Sequence, residues 1–116
     1  ESQRMADELV ESMRSDPERV TMWLVRGPGG EAVCSGRLEL VPGSGFAGLW
    51  GGACDPAHRG RGLYRAVTAA RARWAIEHGA SLLQSDCTEY SRPILERAGL
   101  LAITTTTPFL WRRAAD

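Results

Sequence analysis

The spacing of apolar residues divides the 116-residue chain into alternating helical and extended stretches. Met5, Leu9, Val10 and Met13 recur at intervals that share one helical face, which predicts a helix over 5–14. Ser15-Asp16-Pro17-Glu18 restarts the chain, with Asp16 as an N-cap and Pro17 opening a brief helical turn. Val20 to Val25 reads as a strand, and Gly27-Pro28-Gly29-Gly30 as a turn. From Ala32 to Leu40 the residues Cys34, Gly36, Leu38 and Leu40 alternate with Ser35, Arg37 and Glu39, the pattern of a half-buried strand paired back as a hairpin. Val41-Pro42-Gly43-Ser44-Gly45 ends it, and Phe46 to Cys54 forms a third strand. Gly48, Gly51 and Gly52 in that strand point to a bulge or to close approach by another backbone or a ligand.

The period then changes. After a polar loop over 55–62, Leu63, Val67, Ala70 and Trp74 fall on one stripe of a long helix, with Gly79 just past its end. Ser81 to Cys87 is a strand, and Ser91 caps a short helix running through Ala98 and closed by Gly99. Leu100 to Thr106 and Phe109 to Trp111 read as two last strands, interrupted by Pro108. Trp23, Trp50, Trp74 and Trp111 are expected mainly in packing roles. The order gives one α+β domain over residues 1–116, with a mixed, mostly antiparallel sheet and helices packed on it.

Composition narrows the function. Fourteen basic residues, all Arg, balance fourteen acidic ones. Zero net charge argues against a nucleic-acid or anionic-membrane binder. The absence of Lys excludes a Schiff-base or Walker-type lysine. Cys34, Cys54 and Cys87 are widely spaced, and with only His58 and His78 beside them no metal-ligand spacing appears. An odd, sparse cysteine count suits reduced thiols in the cytoplasm, and no membrane-spanning run or secretory leader is visible.

The segment that carries chemistry is Ala53-Cys54-Asp55-Pro56-Ala57-His58-Arg59-Gly60-Arg61-Gly62-Leu63-Tyr64. A strand runs into a glycine-rich turn that opens directly into a helix, whose free N–H groups and dipole favour an anion without any lysine. Gly60 and Gly62 let the backbone approach a phosphate, and Arg59 and Arg61 add charge. The segment lacks the GK[ST] of a P-loop, and Arg65 stands where a dinucleotide fingerprint needs its third glycine.

The run DPAHRGRGLYRAV resembles the acyl-CoA-binding motif of the GNAT superfamily of N-acetyltransferases, [RQ]-x-x-G-x-[GA], with Arg59 at its first position and Gly62 at its fourth. Tyr64 stands where Gly or Ala is commonest. SRPILERAGL resembles the second signature of that family, and the likeness spans residues 46 to about 111. It implies that the CoA diphosphate lies on the amides of Gly60, Arg61, Gly62, Leu63 and Tyr64, near Arg59. The pantetheine arm would follow the backbone of Gly52, Ala53 and Cys54, and the acetyl group would lie where the strands diverge, with Trp50 beside it. It further implies acetyl-CoA as co-substrate, a small amine acceptor, and an N-acetyltransferase reaction in which the amine attacks the thioester directly. A domain that holds CoA without turnover is the alternative. The family's acid tyrosine falls on Leu95, so Tyr90 is the candidate acid, with Cys87 and Ser91 weaker; as a structural aromatic Tyr90 is equally accounted for. Glu39, Asp55, Asp86 and Glu89 are candidate bases. Residues 1–19 supply only the last of the elements that precede the hairpin in this family. A strand and helix of the full fold are therefore expected to lie outside the chain, as in a trimmed or tandem protein, and a homodimer or a partner domain is compatible with this.

Overall fold

A computed structural model describes residues 2–114. Helix α1 (Ser2–Ser15) leads into β1 (Val20–Arg26), β2 (Ala32–Val41) and β3 (Phe46–Cys54), followed by α2 (Leu63–Glu77), β4 (Leu82–Ser85) and α3 (Arg92–Arg97). The sheet order is β1-β2-β3-β4. The first three strands form an antiparallel meander, and β4 joins β3 in parallel. The α+β architecture with one mixed sheet is the one expected from the sequence.

The meander follows from its turns. Arg26 Nη1 donates to Gly30 O across the first hairpin at 2.8 Å, and Gly30 takes a φ of 85° there. The second hairpin is closed by Ser44, whose hydroxyl donates to Val41 O at 2.7 Å and accepts from Phe46 N. Leu38, Ala47 and Leu49 lie at the sheet centre and meet Ala75 of α2 and Leu95 of α3, so one core joins the sheet to both later helices. Trp74 packs edge-on against Trp23 and stacks on His78, which fixes the end of α2 over β1.

The brief turn expected at Pro17 is present: Arg19 and Val20 N–H both return to Asp16 O, one turn that feeds β1 directly. Three expectations are corrected. The helix over 63–77 buries Val67, Thr68, Arg71 and Ala75, a face rotated from the Leu63–Trp74 stripe. The strand expected over 81–87 is confined to Leu82–Ser85. Residues 101–114 join no sheet and are exposed throughout, so neither C-terminal strand forms, and Trp111 is 82% exposed instead of packed in the core.

Candidate functional site

A bulge shapes the third strand. Ser35 pairs with Ala53 and Arg37 with Trp50, so Gly36 of β2 faces two residues of β3, Gly51 and Gly52. The extra residue bends the bulged strand. The parallel pairing with β4 ends at Leu49 and Ser85, whereas β3 runs on to Cys54. The backbone edge from Trp50 to Cys54 is left without a strand partner on that side. A groove of about 700 Å³ opens there, between β3, the following loop, the start of α2 and α3.

The bulge is held from below by a polar strip on α2. Tyr64, Thr68 and Arg71 follow one another at helical spacing, and the Thr68 hydroxyl donates to Tyr64 O at 2.9 Å. Arg71, fully buried, donates from Nη1 to Arg37 O at 3.1 Å and to Trp50 O at 3.5 Å, and from Nη2 to Thr68 Oγ1 at 3.3 Å. Its guanidinium lies 5.7 Å from the centre of the Tyr64 ring. Two glycines make room for these side chains. A Cβ on Gly36 would sit 2.6 Å from the Arg71 guanidinium carbon, and one on Gly52 would sit 2.6 Å from the Tyr64 ring. Tyr64, bulky where a small residue is commonest in the motif, is thus matched by the missing side chain opposite it.

The loop after β3 turns into α2 through two left-handed glycines. Asp55 Oδ1 accepts from Ala57 N at 3.2 Å and begins a single 3₁₀ turn over Pro56–His58. Arg59 Nε donates to Cys54 O at 3.1 Å, which clasps the loop to the end of β3. Gly60 and Gly62 then take φ values of 79° and 76°, a left-handed conformation that L side chains rarely adopt. Gly62 is the N-cap of α2 and supplies no side-chain acceptor. The N–H groups of Gly60, Arg61 and Gly62 find no acceptor among the described residues. Those of the first helical turn are orphaned by helix geometry itself. The result is a run of unpaired donors at the positive end of a 15-residue helix.

The groove gathers most of the residues named from sequence. Gly52, Ala53, Cys54, Arg59, Gly60, Gly62, Leu63 and Tyr64 line it, as does the exposed Tyr90. The Arg61 side chain does not; only its amide belongs to the turn. Leu95 is buried in the core and takes no part. None of the candidate bases lines the groove: Glu39 lies 3.1 Å from the Arg37 guanidinium, Asp55 caps the 3₁₀ turn, and Asp86 accepts from Thr106. Sequence reasoning missed Arg65 and Arg97, which line the groove together with Ile94 and Ala98. The one-face spacing of Ile94, Arg97 and Ala98 was the available signal. Among the described residues the lining holds three arginines and no carboxylate, so its field favours an anion. Cys34, the register partner of Cys54, is pushed up to about 11 by burial and then by the neighbouring Cys54, so it remains a neutral thiol near neutral pH.

No protein-family model matches the chain, and no curated protein matches it. Solved structures do. Glucosamine-6-phosphate N-acetyltransferase from Arabidopsis thaliana superimposes with a TM-score of 0.79 at 15% identity, over 91% of this chain and 76% of that one. A GCN5-related N-acetyltransferase from Ralstonia eutropha gives 0.77 at 19% identity, over 93% and 75%. The chain has the GNAT fold. The aminoglycoside acetyltransferase AAC(6')-Iy, solved with a bisubstrate analogue containing CoA, gives a TM-score of 0.71 at 21% identity over 99% of this chain and 81% of that one. At such identities the likeness is one of fold. The bulged β3, its divergence from β4 and the glycine-rich turn are this chain's own realisation of the GNAT architecture.

Proposed function

We propose that this chain binds acetyl-coenzyme A along β3 and the Gly60–Gly62 turn and transfers the acetyl group to the amine of a small acceptor. The observation that carries the reading is the run of unpaired N–H groups at the start of α2, set in a groove whose charged side chains are arginines. The fit is chemical: a diphosphate needs several donors and positive charge, and the amides of Gly60, Arg61, Gly62, Leu63 and Tyr64 offer the donors while Arg59 and Arg65 flank them. The open β3 edge at Gly52, Ala53 and Cys54 suits the two amides of a pantetheine arm, which would add to the sheet like a strand. The solved relative bound to a CoA-containing analogue supports the same class of ligand.

The bound thioester supplies an acyl carbon open to attack and a thiolate leaving group. The chain's part is to hold that carbon at the mouth of the divergence, beside Trp50, where a free amine can reach it. In this reading Tyr90, which lines the groove, returns a proton to the thiolate, and the proton shed by the attacking amine passes to water, from which Tyr90 is restored. The second reading, a domain that holds CoA without turnover, is favoured by the core position of Leu95 and by the lack of a lining carboxylate. Free cysteines and the absence, among described residues, of a helix able to cross a membrane fit a reduced, cytoplasmic setting.

Calorimetry with CoA and acetyl-CoA tests the binding reading. The wild-type chain should bind both, and Gly62→Val and Arg59→Glu should lose binding while circular dichroism shows the fold retained. Normal binding by both variants overturns the placement of the diphosphate. With an amine that is turned over, Tyr90→Phe should lower kcat by up to about 10²-fold with little change in KM for acetyl-CoA. Turnover of no amine by a chain that binds CoA selects the second reading.

A further inference from the structure

The geometry points to Cys54 as a modification site: a peroxide entering the groove oxidises its thiol, and the buried Cys34 beside it closes a cross-strand disulfide. Neither thiol has a part in the proposed acetyl transfer, and the inference does not depend on that activity.

Position on the ladder carries the first half of the argument. Cys34 and Cys54 stand directly opposite each other in the antiparallel β2–β3 pair. One step outward, Asp55 N–H donates to Val33 O at 2.7 Å. The ladder hydrogen bonds therefore flank the two cysteines instead of joining them, which is the closely spaced kind of antiparallel pair. In such a pair the Cα atoms are about 4.5 Å apart and both side chains stand on one face. A disulfide needs a Cα separation of about 4.4–6.8 Å, so neither strand has to move. The two side chains already meet: burial and then a hydrogen bond with Cys54 push the Cys34 thiol up to about 11.

Unequal access carries the other half. Cys34 is 2% exposed, whereas Cys54 is half-buried and lines the groove. Cys54 Sγ has one described acceptor, His58 O, and at 4.0 Å that contact holds the thiol only loosely. Reactive cysteines sit in electropositive, partly exposed surroundings. The groove supplies them, since Arg59, Arg65 and Arg97 line it and no carboxylate among the described residues does. Cys34, closed off from solvent, cannot meet an oxidant first, but it lies against the sulfur that does. Cys87 is exposed beyond Leu49–Ser85, where the β3–β4 pairing ends, and has no register partner.

The chemistry takes two steps. The Cys54 sulfur attacks one oxygen of hydrogen peroxide, the O–O bond breaks, and water leaves a sulfenic acid behind. The Cys34 sulfur then attacks that sulfur, the S–O bond breaks, and the hydroxide departs as water with the Cys34 proton. Two thiols have given two electrons to one peroxide. A thiol reductant reopens the bridge by exchange at Cys54, the accessible sulfur. Without Cys34 the sulfenic acid would remain open to further, irreversible oxidation.

The test treats the reduced full chain with hydrogen peroxide, blocks the remaining thiols and cuts after arginine. Cleavage at Arg26, Arg37, Arg59 and Arg73 places the three cysteines in three different peptides. Mass spectrometry should find the Cys34 and Cys54 peptides joined, the intact chain lighter by two hydrogens, and both changes reversed by dithiothreitol. Cys87→Ser should bridge as the wild type does. In Cys34→Ala the bridge should be absent, and dimedone, which captures sulfenic acids, should mark Cys54; the wild-type map decides the matter by itself if this variant does not fold. A folded wild type in which Cys34 and Cys54 stay reduced, in which the bridge involves Cys87, or in which Cys54 passes to sulfinic acid beside a free Cys34 overturns the inference. Dimedone on Cys87 alone in a folded Cys34→Ala chain does the same.

Discussion

Arg71 brings a full charge into the interior of the molecule with no carboxylate among its hydrogen-bond partners. What stabilises it is a set of oxygens: the carbonyls of Arg37 and Trp50, on the two strands flanking the bulge, and the Thr68 hydroxyl on its own helix. Arginine suits the place because its planar fork spans several acceptors at once, which a lysine ammonium on a single stem does not. Arg71→Met keeps much of the volume but leaves Arg37 O and Trp50 O without their donor. The variant should lose about 1–3 kcal/mol of stability, measured by urea denaturation, and Arg71→Lys should recover only part of it. Nothing in the local sequence announces this role. An arginine amid Ala70, Ala72 and Arg73 on a helix reads as solvated, and only the absence of a side chain at Gly36, 35 positions earlier, makes a hollow for it.

At the scale of elements, α2 and the bulge of β3 are cut to each other's shape. Gly52→Ala would drive a Cβ to within 2.6 Å of the Tyr64 ring and displace it from the groove wall. The substitution should cost about 1–3 kcal/mol by overpacking. Combined with Tyr64→Leu, it should cost less than the sum of the two single changes by at least about 0.5 kcal/mol, in a double-mutant cycle read by thermal unfolding. The meander, its turns and the third strand were readable from period-two alternation and glycine-rich breaks, because those features act locally. The glycine-rich turn into α2 was equally readable, since strand, glycines and helix adjoin in sequence. The buried face of α2 was not, because its polar strip is buried only through glycines on other elements. The two C-terminal strands were misread for a related reason: propensity at Leu101 to Thr106 and at Phe109 to Trp111 is real, but a strand exists only where a neighbour pairs with it.

For the molecule as a whole, the stability has a signature in alkaline solution. The Cys34 thiol keeps its proton in the folded chain up to about 11, whereas its ordinary value is 9.0. Over that window the folded state holds a proton that the unfolded state has released, so stability must fall as pH rises. Thermal unfolding followed from pH 9.0 to about 11 should show this decline, and Cys34→Ala should flatten it relative to the wild type. An equal decline in the variant would assign the loss to other groups.

The parallel seam between β3 and β4 has a consequence of a different kind. Four residue pairs, Phe46–Leu82 to Leu49–Ser85, hold β4 in the sheet, and the turn at Gly79 lies just before them. The groove has one wall on each side of that turn: Gly52 to Arg65 before it, Thr88 to Ala98 after it. Severed at Gly79, the chain would divide into two pieces of which neither holds the site, and a molecule spanning both walls would favour their rejoining. The fold therefore has the layout of a split sensor, in which occupancy of the groove is read out as reassembly.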